Sequence, residues 1–394
     1  SFPTPTYYNN SMNTCPLCGI DTIRKSGKIN VERMTKDGQK ILKYQAYRCS
    51  NNHFFSENSS LVKFTNSFIE YAVIVYVRSL SLNTTIDLIR IYFERDLLTK
   101  ETVLSFIETV ADRLPTLDDI DNLFHPKRSG YLAFDGVWYK YRGLSFVLLI
   151  CFDPVTFDIV SYHISERETF ESYEKLIRSI LSKLKDVKIL GLYGDGDRGL
   201  IKALKLYFPN IPIQVCVVHK EFRLGQILPF KRAYTGKALD PTFKQKVRFF
   251  KETTEGILYA NSKSQAVKQL EILKEFMKKE KDEKLKKAFG SLNYNFKYIL
   301  THFDHPEMER DNNIIEGFNS IISRKIRLLK GFKKLANIDR YIKLILLDYR
   351  FHEFIESRFV KRRTQTPLEL TGVSLPEYYN FIKLLRQELN LNFE

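Results

Sequence analysis

Between Gly130 and His219 two apolar, β-rich runs each break on an aspartate followed by a glycine: Ala133-Phe134-Asp135-Gly136 and Gly191-Leu192-Tyr193-Gly194-Asp195-Gly196. No other stretch restricts the fold as tightly. A carboxylate at the C-terminal tip of a buried strand has no packing use, but the edge of a sheet is where ions and ligands are held. Two such tips on neighbouring strands would put two carboxylates within reach of one ion. Runs at about 130–140, 144–152 and 157–164, separated by short turns, predict an antiparallel meander. From Glu168 to Lys185, Phe170, Tyr173, Leu176, Ile177, Ile180 and Leu184 recur on one helical face. Residues 187–193, 198–207 and 211–218 then read as strand, helix and strand. A meander followed by alternating helices and strands describes a mixed α/β sheet.

Charge narrows the partner. With 62 Lys and Arg against 46 Asp and Glu, the chain carries a formal charge of +16. That excess suits a polyanion, nucleic acid first and an anionic membrane surface second. Phe146 to Phe152 is strand-length, and no apolar run approaches the ~20 residues a bilayer needs. The opening residues, SFPTPTYYNNSMN, lack the basic start and apolar core of a secretory signal; they also lack an initiator Met, so a native N-terminus further upstream is expected. A cytoplasmic, nucleoid-associated location and no membrane partner are expected.

Five cysteines in 394 residues do not make a disulfide scaffold. Cys15-Pro-Leu-Cys18-Gly19 is a metal knuckle, and Cys49-Ser-Asn-Asn-His53 supplies a second ligand pair. Between them, residues 29–48 predict a hairpin turning at Lys36-Asp37-Gly38-Gln39. Cys15, Cys18, Cys49 and His53 together are expected to hold Zn²⁺ in a ribbon spanning 1–60, with DNA gripping as its task. Residues 61–115 carry three helical patterns, the second entered through Asn83 and the third capped by Thr99, which fit a helix-turn-helix-like unit or plain packing. Glu101, Glu108 and Asp112 argue against the third as a strong recognition helix. Residues 116–129, within LPTLDDIDNLFHPKRS, read as a linker.

Taken in order, these residues resemble the DDE transposases of the Mutator-like group and its prokaryotic insertion-sequence relatives. Asp135 lies in a first strand, Asp195-Gly-Asp-Arg-Gly199-Leu200 follows a fourth, and Cys216-Val-Val-His219 follows the next. Asn312-Asn-Ile-Ile-Glu316-Gly-Phe-Asn319-Ser320 opens a late helix, and Thr366-Pro-Leu-Glu-Leu lies near the end. The resemblance covers most of the chain. It implies an RNase H-like core at 130–230 and 300–372, a helical insertion at 231–299, and a C-terminal helix at 373–394. It implies Asp135, Asp195 and Glu316 as catalytic ligands of Mg²⁺ or Mn²⁺, with cutting and joining of double-stranded DNA at element ends and target. A homodimer or higher synaptic oligomer is implied as the working form.

Rival readings stay open. Asp197 competes with Asp195 as the second acid, or caps the following helix. Asp153 before Pro154 looks like a turn residue, and Glu309 and Asp311 precede the late helix. Cys216 and His219 either shape the active-site floor or make half a zinc site completed by His302 and His305. Trp138 reads as a core or sheet-face residue, less as a base-stacking one. The lysine-rich insertion reads as a solvated structural element or as a DNA-binding or dimer-forming one. Arg324, Lys325, Arg327, Lys330, Lys333 and Lys334, beside Glu316, form a candidate phosphate-contacting surface. An inactive zinc-ribbon regulator is the alternative to an active transposase, and a nuclease without joining activity stands third.

Overall fold

The computed structural model describes residues 15, 18, 20–35, 37–56, 66–79, 81–93, 99–141, 144–235, 239–328, 336–357 and 359–387. In chain order these are β1 (Ile23–Thr35), β2 (Gly38–Cys49), β3 (Phe54–Ser56), α1 (Asn66–Ser79), α2 (Leu82–Phe93), α3 (Lys100–Arg113) and α4 (Leu117–Phe124). Next come β4 (Tyr131–Tyr141), β5 (Leu144–Asp153), β6 (Asp158–Ser165), α5 (Phe170–Leu181), β7 (Gly191–Gly194), α6 (Arg198–Tyr207), β8 (Ile213–Val215) and α7 (Val217–Ile227). Helices follow: α8 (Phe230–Thr235), α9 (Pro241–Leu258), α10 (Lys263–Lys278), α11 (Glu283–Asn293), α12 (Phe296–Ile299) and α13 (Thr301–Asp304). The last are α14 (Asn313–Leu328), α15 (Ala336–Arg350), α16 (Pro367–Leu370) and α17 (Phe381–Gln387). The chain divides into two units: 1–120 with 328–352 and 375–394, and 121–327 with 353–374.

In the first unit β1, β2 and β3 form an antiparallel sheet in sequence order, paired from Ile23↔Cys49 to Thr35↔Gly38. Its core is small: Tyr47 stacks on Phe55 at 5.9 Å, with Cys15, Cys49 and Ile23 around them. Beside it, the apolar faces of α1 and α3 meet through Phe68 and Phe106, edge to face at 6.4 Å. Thr99 caps α3 by accepting from the Thr102 amide, as its position predicts. Ser81, not Asn83, caps α2, accepting from the Thr84 amide at 3.0 Å.

Two assignments change here. Residues 116–129 are not a plain linker, because α4 occupies 117–124. Thr116 and Asp119 cap it reciprocally, while Leu117 and Ile120 are buried, so a short segment carrying three aspartates has a helical reason to exist. Residues 336–352 and 375–387 also belong with α1–α3 in the first unit, rather than to the sheet-containing unit or to a separate C-terminal helix. The face of α15 carrying Ile338, Tyr341, Ile342 and Ile345 is buried, and Tyr341 meets Tyr76 at 5.9 Å. Arg340 clasps Asp112 through two nitrogens at 2.6 and 2.8 Å, so an acid expected to repel phosphate from α3 is neutralised by α15. Arg386 of α17 pairs with Glu70 of α1 at 2.5 Å.

The second unit is built on a five-stranded sheet ordered β6-β5-β4-β7-β8. β6, β5 and β4 run antiparallel, whereas β4, β7 and β8 run parallel. The central strands are buried on both faces, from Leu132, Ala133 and Phe134 to Val147 through Phe152. Thr169 and Ser172 form a capping box for α5, so the helix begins at Phe170 and Glu168 lies outside it. Two glycines of the Asp195 run have geometric duties. Gly196 has φ of +82°, and a Cβ on Gly199 would collide with the backbone of Thr169 and Phe170 where α6 meets the start of α5.

α9 and α11 pack with α7, and α10 packs on both of them; Lys220 of α7 is buried and donates to the Ser291 and Tyr294 carbonyls at 3.0 and 3.3 Å. Burial pushes this ammonium down to about 8. Thr366 and Glu369 form another capping box, and α16 packs with β6 through a buried Leu368, so the Thr366-Pro-Leu-Glu run has a structural role. Beneath the sheet, Arg128 bonds Asp158 at 2.6 Å and Asp121 at 3.0 Å, and Lys183 adds a second contact to Asp121 at 2.8 Å. All four side chains are nearly or fully buried. Removing one partner strands the opposite charge in a low dielectric. Arg128→Ala should therefore cost about 3–5 kcal/mol, read as a lowered denaturant midpoint of the second unit by circular dichroism.

Candidate active site

Parallel pairing of β4 and β7 ends at Ala133↔Tyr193. Asp135 and Asp195 each follow two residues later, so both acids leave the paired region in the same register. β4 itself continues to Tyr141 alongside β5. Asp135 is thus in a strand interior rather than at its tip; what ends beside it is the parallel neighbour. The opening left there admits side chains from α7 and α14.

The chain carries Glu316 to this opening by anchoring the segment before α14. Buried Gln214 of β8 donates to the carbonyls of Ile299 and Arg310 at 3.1 and 3.2 Å and accepts from the His302 amide. The Arg310 carbonyl also accepts from Val217, and Tyr193 accepts from the Glu309 amide. Ile315, Phe318 and Ile322 bury one stripe of α14, and Phe318 stacks on Phe152 at 5.0 Å. Glu316 and Asn319 then face the acids. Asn319 Nδ2 donates to Asp135 Oδ2 at 2.7 Å. The glycine after Glu316 faces open space.

His219 lies between the first and third acids. Its Nε2 is 3.9 Å from Asp135 Oδ2, and its Nδ1 is 3.5 Å from Glu316 Oε1. Burial works against the imidazolium, but Cys216 and Asp135 outweigh it and hold the ring up at about 9. Burial is also the main force raising Asp135 to about 6, with His219 opposing and Asp195 adding to it. Asp195 accepts from the Asp197 amide at 2.8 Å and from Arg223 at 3.3 Å. Among the described residues, the ligand atoms that come within 4.8 Å of one another here are those of Cys216, His219 and Glu316. The histidine occupies the space between the carboxylates and contributes the positive charge they require.

The rival acids have other occupations. Asp197 caps α6, accepting from Gly199 and Leu200. Asp153 is fully buried and accepts from Ser129, Val155 and Thr156. Glu309 and Asp311 precede α14. His302 bonds Gln214 and Ile299, and His305 pairs with Glu307, so neither completes a zinc site with Cys216 and His219. Of the basic surface, Arg324 is exposed and Lys325 half-buried on α14. The side chain of Arg327 and the residues Lys330, Lys333 and Lys334 lie outside the described residues.

Sequence reading missed Glu168. Its carboxylate packs over Gly136 and accepts from Trp138 Nε1 at 2.6 Å. Burial, followed by the charge of Asp195, raises it to about 7. The periodicity that placed it in α5 gave no hint of this; the preceding Ser-Glu-Arg and the Thr169 cap were the available signal.

In the first unit, Cys15, Cys18, Cys49 and His53 bring their ligand atoms within 4.8 Å of one another. Cys18 and Cys49 sulfurs are 3.9 Å apart, and Cys15 Sγ is 3.8 Å from His53 Nδ1. A tetrahedral Zn²⁺ with bonds of about 2.0–2.3 Å has ligand–ligand edges of roughly 3.3–3.8 Å. The four residues fit that ion.

Asp135 and Asp195 in one strand register, Glu316 on a late helix and His219 between Asp135 and Glu316 thus gather where β7 ends inside a mixed sheet. The chain belongs to the Mutator family of transposases: the profile described as "Transposase, Mutator family" matches residues 150–357. It is 25% identical over 202 residues to the transposase for insertion sequence element IS1201 of Lactobacillus helveticus, a match covering 49% of this chain and 48% of that one. The match thus spans about half the length of this curated relative. Among solved structures, the Drosophila P element transposase strand transfer complex aligns over 86% of this chain and 95% of its own, at 12% identity and a TM-score of 0.34. The HTLV-2 integrase catalytic core domain in complex with magnesium aligns over 34% and 88%, at 12% identity and a TM-score of 0.18. Scores of that size do not equate individual residues.

Proposed function

We propose that the second unit is an RNase H-like core that cuts and joins double-stranded DNA at the ends of its mobile element, with Asp135, Asp195 and Glu316 as the DDE acids. The observation that carries this is the shared register of Asp135 and Asp195 beyond Ala133↔Tyr193, with Glu316 brought to Asp135 through His219 and Asn319. Family membership supports the same reading.

The donor set suits hard divalent cations, Mg²⁺ or Mn²⁺, because buried carboxylates are short of positive charge there. Bound by the three acids, such ions would activate the attacking oxygen and stabilise the leaving one in an in-line displacement at phosphorus. Asn319 orients Asp135, and Arg223 and the Asp197 amide orient Asp195. His219, held cationic, stabilises negative charge on a phosphate entering the gap. Water attacks in cleavage and a DNA 3′-hydroxyl in joining. The Cys15, Cys18, Cys49 and His53 ribbon holds Zn²⁺ and, with the helical unit after it, grips element ends. A synaptic dimer or larger oligomer, acting at the nucleoid, is the working form; no described helix is long and apolar enough to cross a membrane.

Incubation with DNA carrying the element ends and either metal tests this directly. Nicked and joined products support the reading, whereas tight end binding without cleavage in either metal transfers it to a DNA-binding regulator. Phosphate contacts make a separate prediction. Arg324→Ala should weaken binding to all sequences alike and flatten the log K against log salt slope by about 0.9, the value of one released contact. Anisotropy titrations at several salt concentrations read it.

A further inference from the structure

Three residues beyond Asp135, Trp138 stands 52% exposed. It is the only tryptophan in the chain. A large indole left half in water is an unusual expense unless its face has a use. The ring is held in place: its Nε1–H is already donated to Glu168 Oε1 at 2.6 Å, so what it still offers is its π surface. Trp138, Phe146, Arg167, Glu168 and Asp197 line a cleft of about 660 Å³. The cleft adjoins the acids on two sides. Glu168 packs on Gly136, next to Asp135, and the Asp197 amide is bonded to Asp195. Arg167 is exposed on the rim of this cleft. Glu168 Oε2 likewise accepts no bond from a described residue, leaving one acceptor free beside the ring.

We propose that this cleft takes an unpaired base of the DNA strand beside the reacting phosphate, stacked on Trp138, with Glu168 accepting from the base and Arg167 meeting its phosphate. A pinned aromatic face loses little entropy on stacking, and stacking tolerates every base. The free carboxylate oxygen then biases the choice. Cytosine, adenine and guanine present exocyclic amines to an acceptor, whereas thymine presents carbonyls on either side of one imino N–H. The inference rests on the DNA-cutting reading for the origin of the base, but stacking itself requires no cutting.

Because Trp138 is the sole tryptophan, intrinsic fluorescence of the full chain reports this contact alone. Titration with short single-stranded dC oligonucleotides should quench it, and the same backbone carrying abasic sites should not. By anisotropy of a labelled dC oligonucleotide, Trp138→Ala should weaken binding about tenfold, within the range of one lost stacking contact, and Trp138→Phe should restore most of it. Glu168→Gln keeps an acceptor for the indole N–H but exchanges the free oxygen for a donor, so preference should move from dC toward dT. Equal quenching by abasic and dC strands would overturn the proposal, as would Trp138→Ala and parent chains binding dC equally. A chain that quenches as expected yet never cuts DNA would sink the catalytic reading and leave the base site standing. A chain that cuts element ends without quenching would do the reverse.

Discussion

Asp135→Ala and Glu316→Ala chains are expected to bind element-end DNA with the parent's affinity and to cut it at least about a thousandfold more slowly, a loss of roughly 4 kcal/mol of transition-state stabilisation. The expectation follows from what each carboxylate does. Asp135 is buried, held by Asn319 and flanked by His219, so its removal leaves a desolvated cation facing the gap. Glu316 stands on a helix whose other face is locked into the core by Ile315, Phe318 and Ile322, so its truncation changes charge without moving the helix. Asp195→Asn belongs in the same series, with Asp197→Asn beside it, since asparagine keeps the cap on α6. If Asp195→Asn cuts DNA and Asp197→Asn does not, the second acid has been misassigned. Rates from gel assays and affinities from anisotropy separate chemistry from binding.

The second large effect is expected in the first unit. Chelation of zinc, or Cys49→Ser, should unfold the ribbon and abolish specific end binding while leaving the sheet of the second unit intact. Among the described residues, that element buries a small cluster of Tyr47, Phe55, Cys15, Cys49 and Ile23 with Met34 and Ala46 nearby in the sheet, far short of what an autonomous fold requires. The balance has to come from the ion, for which apparent values of about 10–16 kcal/mol are typical of small zinc modules. One zinc per chain by elemental analysis, lost together with hairpin amide protection in hydrogen exchange, is the expected result. A ribbon that stays protected after complete metal removal would overturn the assignment.

Much of this was legible residue by residue. The hairpin around Asp37-Gly38, the Thr99 cap, the meander and the Asp197 cap are local matters of turn chemistry, periodicity and free helix-end amides. Glu168 was not legible, because what distinguishes it is burial against Gly136 and the field of Asp195, and neither is close to it in sequence. The helix at 117–124 was hidden by its acidic composition; a capping box and two buried side chains suffice to make it.

The amino-acid sequence alone pointed to most of the elements and to the candidate ligands of both sites, since strand periodicity, thiolate spacing and capping act over a few residues. The tertiary structure decided which of these meet. Asp135 and Asp195 share a register only because β4 and β7 pair in parallel, and Gln214 and Tyr193 seat the segment that delivers Glu316. His219 becomes a cation between two acids only because Cys216 and the charge of Asp135, both brought to it by the fold, outweigh the burial that opposes it. α15 (Ala336–Arg350) joins the N-terminal unit because its apolar stripe packs on α1 and α3. Long-range pairing, desolvation and Coulombic fields depend on distance through space, and that is a quantity the linear chain does not contain.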